Sequence, residues 1–221
     1  MTTLSPDMTV TAIAADLPGA AELFRTKRIN FCCGGNIPLS EAAGKAGLTT
    51  EALIAELQAL ADAAGRDAPE ATPALIDHIL SRYHETHRAE LDWLIPLAQK
   101  VERVHGDHQD APRGLTKALI ALHDDLDDHM QKEEQVLFPL MLQGGNPMIV
   151  HPIAQMRHEH DHTATLLAGL DHVTHGLTLP AGACGSWTAL YTGLRKFSED
   201  LVAHMHLENN VLFARFEPAH A

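Results

Sequence analysis

The sequence predicts an all-α protein: an up-down-up-down four-helix bundle preceded by a small helical domain. Three observations carry that prediction. Aromatic residues make up only 5% of the 221 residues, while Ala and Leu are abundant, a composition that leans towards helix. After residue 70, four long stretches repeat apolar residues at steps of three and four, separated by clusters of Gly, Pro and Asp. All 16 histidines lie after residue 60, which divides the chain into two parts of different chemistry.

In the first part, short helical patterns cover 9–16, 19–27, 39–46 and 50–64, the last with Thr50 as its N-cap. Between the second and third lies Asn30-Phe31-Cys32-Cys33-Gly34-Gly35-Asn36. The run from Gly65 to Pro73 gathers helix breakers and polar residues. It reads as a linker ending in an N-cap Thr72 with Pro73 at the first helical position. One domain therefore spans 1–65 and the other 73–217. The bundle helices are expected at 73–105, 112–143, 148–176 and 184–214, about 30 residues each and joined by short loops.

The charge balance excludes some functions. With 16 Lys+Arg against 29 Asp+Glu the formal charge is −13, which repels nucleic acid and anionic membrane surfaces. No run of 18 apolar residues occurs, and 1–18 lacks both a basic and an apolar leader region. The chain reads as cytoplasmic, with neither nucleic acid nor membrane among its partners. Three cysteines, Cys32, Cys33 and Cys184, form no disulfide framework and fit a reducing compartment.

The informative residues are polar ones that interrupt apolar stripes. In the second bundle helix Leu115, Leu119, Leu122, Leu126, His129, Glu133, Leu137 and Leu140 follow at steps of three or four, so His129 and Glu133 face the interior. The fourth helix repeats the pattern with Leu190, Leu194, Leu201, His204, Glu208 and Leu212, while His206 points away. In the third, only His160 of the cluster His158-Glu159-His160-Asp161-His162 falls on the stripe of Ile149, Ile153, Met156 and Leu167. In the first, His84 and His87 both fall near the face of Ile76, Leu80, Leu91 and Leu94, and periodicity does not choose between them.

Height along the bundle adds a second test. Taking His84 for the first helix, all four histidines lie roughly 15–21 Å from one end at 1.5 Å per residue. A single buried His is more often a hydrogen-bonded core residue. Four imidazoles and two carboxylates at one level are harder to account for in that way, because a lone ionised Glu there costs several kcal/mol unless paired. A metal site removes that cost. Two ions fit better than one, since six ligands crowd a single ion, whereas two bridging carboxylates with two His per ion leave open positions. This ligand set suits iron first, then manganese or zinc; structural zinc sites use more Cys.

Several motifs together carry a family resemblance: Asn30-Phe31-Cys32-Cys33-Gly34-Gly35, Arg82-Tyr83-His84, Val101-Glu102-Arg103-Val104-His105, His129-Met130-Gln131-Lys132-Glu133-Glu134, Glu159-His160-Asp161, and His204 to Glu208 followed by Asn209-Asn210-Val211-Leu212-Phe213. The second domain resembles the hemerythrin-like di-iron bundles. The whole chain, over 1–217, resembles the di-iron proteins that repair iron–sulfur clusters after nitrosative and oxidative stress. The resemblance implies two Fe ions per chain, held by His84, His129, Glu133, His160, His204 and Glu208. It selects His84 over His87. It also implies that Glu133 and Glu208 bridge the irons with an oxo group, that each iron takes one His pair, that the chain is a homodimer, and that its partners are damaged iron–sulfur proteins.

In that family setting Cys32 and Cys33 are expected to take up iron or face a damaged cluster, in a turn whose glycines admit another backbone or cofactor. Their structural alternative is a buried pair or a vicinal disulfide. Glu159 is a candidate for helping iron leave, and Cys184 is assigned no role. Labile iron is expected to be lost as pH falls below about 6, near the intrinsic His pKa. The alternative function is an enzyme or sensor that binds O2 or NO at open iron positions and reduces NO to N2O. An iron store does not fit, because one bundle holds only a pair of ions.

Overall fold

The computed structural model describes residues 4–31, 35–64, 66 and 68–217. The first part forms four short helices: α1 (Val10–Asp16), α2 (Ala20–Thr26), α3 (Leu39–Lys45) and α4 (Thr50–Ala63). Thr9 caps α1 by accepting from the Ala12 N–H at 3.3 Å. The cap of α4 is Thr49, not the expected Thr50: its hydroxyl accepts from the Ala52 N–H at 3.3 Å, and Thr50 already has helical geometry. Val10, Ile13, Phe24, Leu39, Leu53 and Leu57 form a core of their own. Among the described residues there is no strand, only an isolated antiparallel bridge between Thr9 and Pro38.

The first long helix comprises α5 (Thr72–Ile79), one wide turn over Leu80–His84, and α6 (Glu85–His105). The expected cap is displaced by one residue. Ala71 occupies the N-cap position and has no polar side chain to cap with, while the Thr72 hydroxyl receives a bond from Arg215 at 3.1 Å. Pro73 sits in the first turn, where a missing N–H is harmless.

The second long helix joins α7 (Leu115–Lys132), a wide turn over Glu133–Leu137, and α8 (Phe138–Leu142). It begins at Leu115 rather than 112, behind Gly114 at φ 90°. Glycine brings no capping side chain, so Glu102 of α6 does the work from across the connection. Its carboxylate accepts from the Gly114 N–H at 2.6 Å, the Thr116 N–H at 3.1 Å and the Thr116 hydroxyl. A carboxylate there also complements the helix dipole.

A short turn, Pro147–Ile149, leads into α9 (Val150–Val173), which stops before the expected 176. His175 and Gly176 take left-handed backbone there, and the Gly176 N–H closes onto the Asp171 carbonyl at 2.8 Å. The last helix is α10 (Gly185–Leu207), followed by a wide turn over Glu208–Leu212 and a tight one over Phe213–Arg215. Short connections place α6 against α7 and α10, and α7 against α9, while α1 rests on α9 and α10. No helix of the described residues is long and apolar enough to cross a membrane.

Candidate metal centre

A polar layer divides the bundle core in two. On one side pack Leu94, Leu119, Leu122, Leu190, Leu194 and Phe197; on the other, Ile76, Ile79, Phe138, Ile153, Leu212 and Phe213. Between them lie His84, His129, Glu133, His160, His204 and Glu208, none more than 4% exposed. Their ligating atoms form two groups, each within 4.8 Å: His84, Glu133, His204 and Glu208, and His129, Glu133, His160 and Glu208. Both carboxylates belong to both groups.

Local backbone geometry positions three of these residues. His84 ends the wide turn of the first helix, and Glu133 and Glu208 begin those of the second and fourth. In each, an N–H bonds the carbonyl five residues back: Glu85 to Leu80, Phe138 to Glu133, Phe213 to Glu208. The inserted residue turns everything beyond it by about 100° relative to an unbroken helix. The apolar face after Glu133 is accordingly Leu137, Phe138 and Met141, with Leu140 only partly buried, and not the expected Leu137 and Leu140.

Outer hydrogen bonds aim the imidazoles. His84 Nδ1 lies 2.8 Å from Glu134 Oε1, His129 Nδ1 lies 3.0 Å from Glu159 Oε2, and His160 Nδ1 lies 2.9 Å from Asn209 Oδ1. An imidazole that donates through Nδ1 presents a bare lone pair at Nε2, the form a metal needs. Cations back each acceptor: Arg88 contacts Glu134 at 2.8 Å, Lys132 contacts Glu159 at 2.8 Å, and Arg157 reaches Asn209 Oδ1 at 3.4 Å and its backbone carbonyl at 2.9 Å. Sequence reasoning gave Glu134 and Asn209 no role of their own. The available signal was adjacency, because each directly follows a glutamate of the cluster.

The inner atoms lack partners of their own. Nε2 of His160 faces Nε2 of His129 at 3.0 Å and Glu208 Oε2 at 3.2 Å. His84 Nε2 and both carboxylate oxygens of Glu133 are buried without a hydrogen bond. Converging lone pairs in an apolar interior require a cation or a proton, so the donor set fits a pair of divalent transition metals. Burial pushes Glu133 well above the ordinary carboxylate range, and the charge of Glu208 pushes it further. Burial opposes the charge of Glu208 too, but His204 and His160 hold its carboxyl well below that range. Burial lowers His204 to about 3.

Comparison with known proteins identifies the family. Residues 75–216 match the hemerythrin HHE cation binding domain, and 6–61 match a domain of unknown function, DUF542. The chain is 44% identical over 212 residues to the iron-sulfur cluster repair protein YtfE of Pectobacterium carotovorum subsp. carotovorum (strain PC1), and 45% identical over 213 residues to that of Escherichia coli O8 (strain IAI1). In both cases the match covers 95% of this chain and 96% of the relative. The chain belongs to the hemerythrin-type iron–sulfur cluster repair family.

Other histidines of this family member sit outside the cluster. His87 is fully buried, its ring nitrogens make no hydrogen bond, with Nδ1 3.9 Å from Glu90 Oε2, and it belongs to neither group. It packs between Phe197 and His204 at ring distances of 5.4 Å. His158 and His162 are exposed, as their projection predicts. His206 turns to the first domain, with Nδ1 3.1 Å from the Asp16 carbonyl. Glu159 is engaged with His129, which together with Lys132 and Gln155 holds its carboxyl down at about 2. Cys184 is the N-cap residue of α10, 3.1 Å from His105 Nε2. Cys32 and Cys33 lie outside the described residues.

Proposed function

We propose that this chain restores damaged iron–sulfur clusters by holding two ferrous ions in the bundle and supplying iron from them. The observation that supports this reading is the overlap of the two ligand groups at Glu133 and Glu208. Two carboxylates serving four imidazoles would hold one ion with His84 and His204 and the other with His129 and His160. The names and near full-length similarity of the relatives support repair as the purpose.

Iron here is cargo, and the ligand chemistry suits a cargo. Imidazole and carboxylate ligation with open positions exchanges more readily than a closed thiolate cage, and it loosens on protonation. Glu134, Glu159 and Asn209 would keep three imidazoles in the ligating tautomer. The apolar clusters on either side keep bulk water from the layer. Cys32 and Cys33 would make the contact with the damaged cluster or its protein.

The test is restoration of a [4Fe–4S] enzyme inactivated by nitric oxide, with the chain loaded with ferrous iron in the absence of oxygen. The loaded chain is expected to restore activity, and the double variant His129→Leu/His204→Leu is expected to bind no iron and restore none. The double variant Cys32→Ala/Cys33→Ala is expected to keep its iron and lose restoration. Equal restoration by the chain without its ligands would defeat the reading.

A further inference from the structure

Access does not separate the two metal positions. A cavity of about 400 Å³ reaches His84, and one of about 310 Å³ reaches His160. The outer hydrogen bonds of the ligands do separate them. Three of the four imidazoles donate Nδ1–H to an acceptor: Glu134, Glu159 or Asn209. The fourth does not. His204 Nδ1 is buried with no partner, and its surroundings are the Tyr83 ring, stacked at 5.1 Å, and the buried His87.

The contact that His204 does make is on the wrong nitrogen. Its Nε2 lies 3.1 Å from Glu208 Oε1, so a neutral His204 rests with its proton on Nε2, the atom that must ligate. Binding a metal there moves the proton to Nδ1, where it meets no acceptor. A buried N–H without a partner is disfavoured, and an orienting partner for a ligand histidine is typically worth 10–100-fold in metal affinity.

We infer that the two positions are unequal, the ion at His84 and His204 being the exchangeable one and the ion at His129 and His160 the retained one. The inference rests on the two-ion reading above and adds to it which iron is supplied. A chain built in this way gives up one ferrous ion while the second keeps Glu133 and Glu208 in place.

The experiment titrates the metal-free full chain with ferrous ion, without oxygen, by calorimetry and by competition with a colorimetric ferrous chelator. Two binding steps at least 10-fold apart are expected, with biphasic release to the chelator. Asn209→Ala removes no ligand and is expected to weaken the tight step 10–100-fold, bringing the two together. His204→Ala is expected to abolish the weak step and leave the tight one. Two ions bound with equal affinity, or an Asn209→Ala change confined to the weak step, would overturn the inference while leaving the metal centre standing. Loss of the tight step in His204→Ala, with the fold intact by circular dichroism, would overturn it too. Failure of the parent chain to take up ferrous ion would remove the two-ion reading, and the inference with it.

Discussion

The ring of Tyr83 lies flat on that of His204, with centroids 5.1 Å apart and 4° between the planes. Arg82 stands 5.0 Å from the Tyr83 ring and forks onto Asp200 at 2.8 and 3.0 Å, so the first long helix grips the fourth beside His204. His204 has no acceptor for Nδ1, and this stack orients it instead. An aromatic pair contributes about 0.5–1.5 kcal/mol. Tyr83→Leu is therefore expected to lower ferrous affinity at the His204 position about 2–10-fold, and Tyr83→Phe to leave it unchanged, as measured by anaerobic titration.

Metal uptake should release protons at neutral pH. Glu133 is raised well above the usual carboxylate range by burial and by Glu208, and His84 is raised because Glu133, Glu208 and Glu134 outweigh its burial. A cation bound there competes with protons for both groups, whereas His204, lowered to about 3, stays neutral near pH 7. Calorimetric enthalpies in buffers of different ionisation heat are expected to diverge accordingly. Iron is expected to be retained at pH 7.5 and lost at pH 5; both ions present at pH 5 would contradict the assignment.

Asp171 offers a pH test away from the metal. Burial raises its carboxyl from 3.8 to about 6, with Arg25 pulling the other way. A folded-state pKa above the unfolded one contributes stability that is fully present below 3.8 and lost as pH rises through 6. At 1.36 kcal/mol per pH unit the loss is about 3 kcal/mol at most. Asp171→Asn keeps the neutral form at every pH. Its melting temperature should exceed that of the parent at pH 8 and match it near pH 4.

Removing the cap supplied by Glu102 should loosen α7 without touching the ligands. Its carboxylate serves the Gly114 and Thr116 N–H groups and the Thr116 hydroxyl. Loss of a helix cap costs about 1–2 kcal/mol. Denaturant unfolding of Glu102→Ala is expected to show that loss, with ferrous stoichiometry unchanged.

Periodicity alone was enough to read the helical class, the leucine stripes and the inward His129, Glu133, His160, His204 and Glu208, because the side an amphipathic helix buries is written in its spacing. The same projection sent His158 and His162 outward, where they are. Residues three apart on one face look alike to it, so His84 and His87 were separable only by family resemblance until the tertiary structure placed one in the cluster and the other behind His204. A fixed 3.6-residue period is also blind to an inserted residue, which is why the wide turns and the Phe138–Met141 face went unseen. Partners from other helices have no periodic signature at all. That Glu134 orients His84, Asn209 orients His160, and no hydrogen-bond acceptor meets His204 Nδ1 was decided by packing.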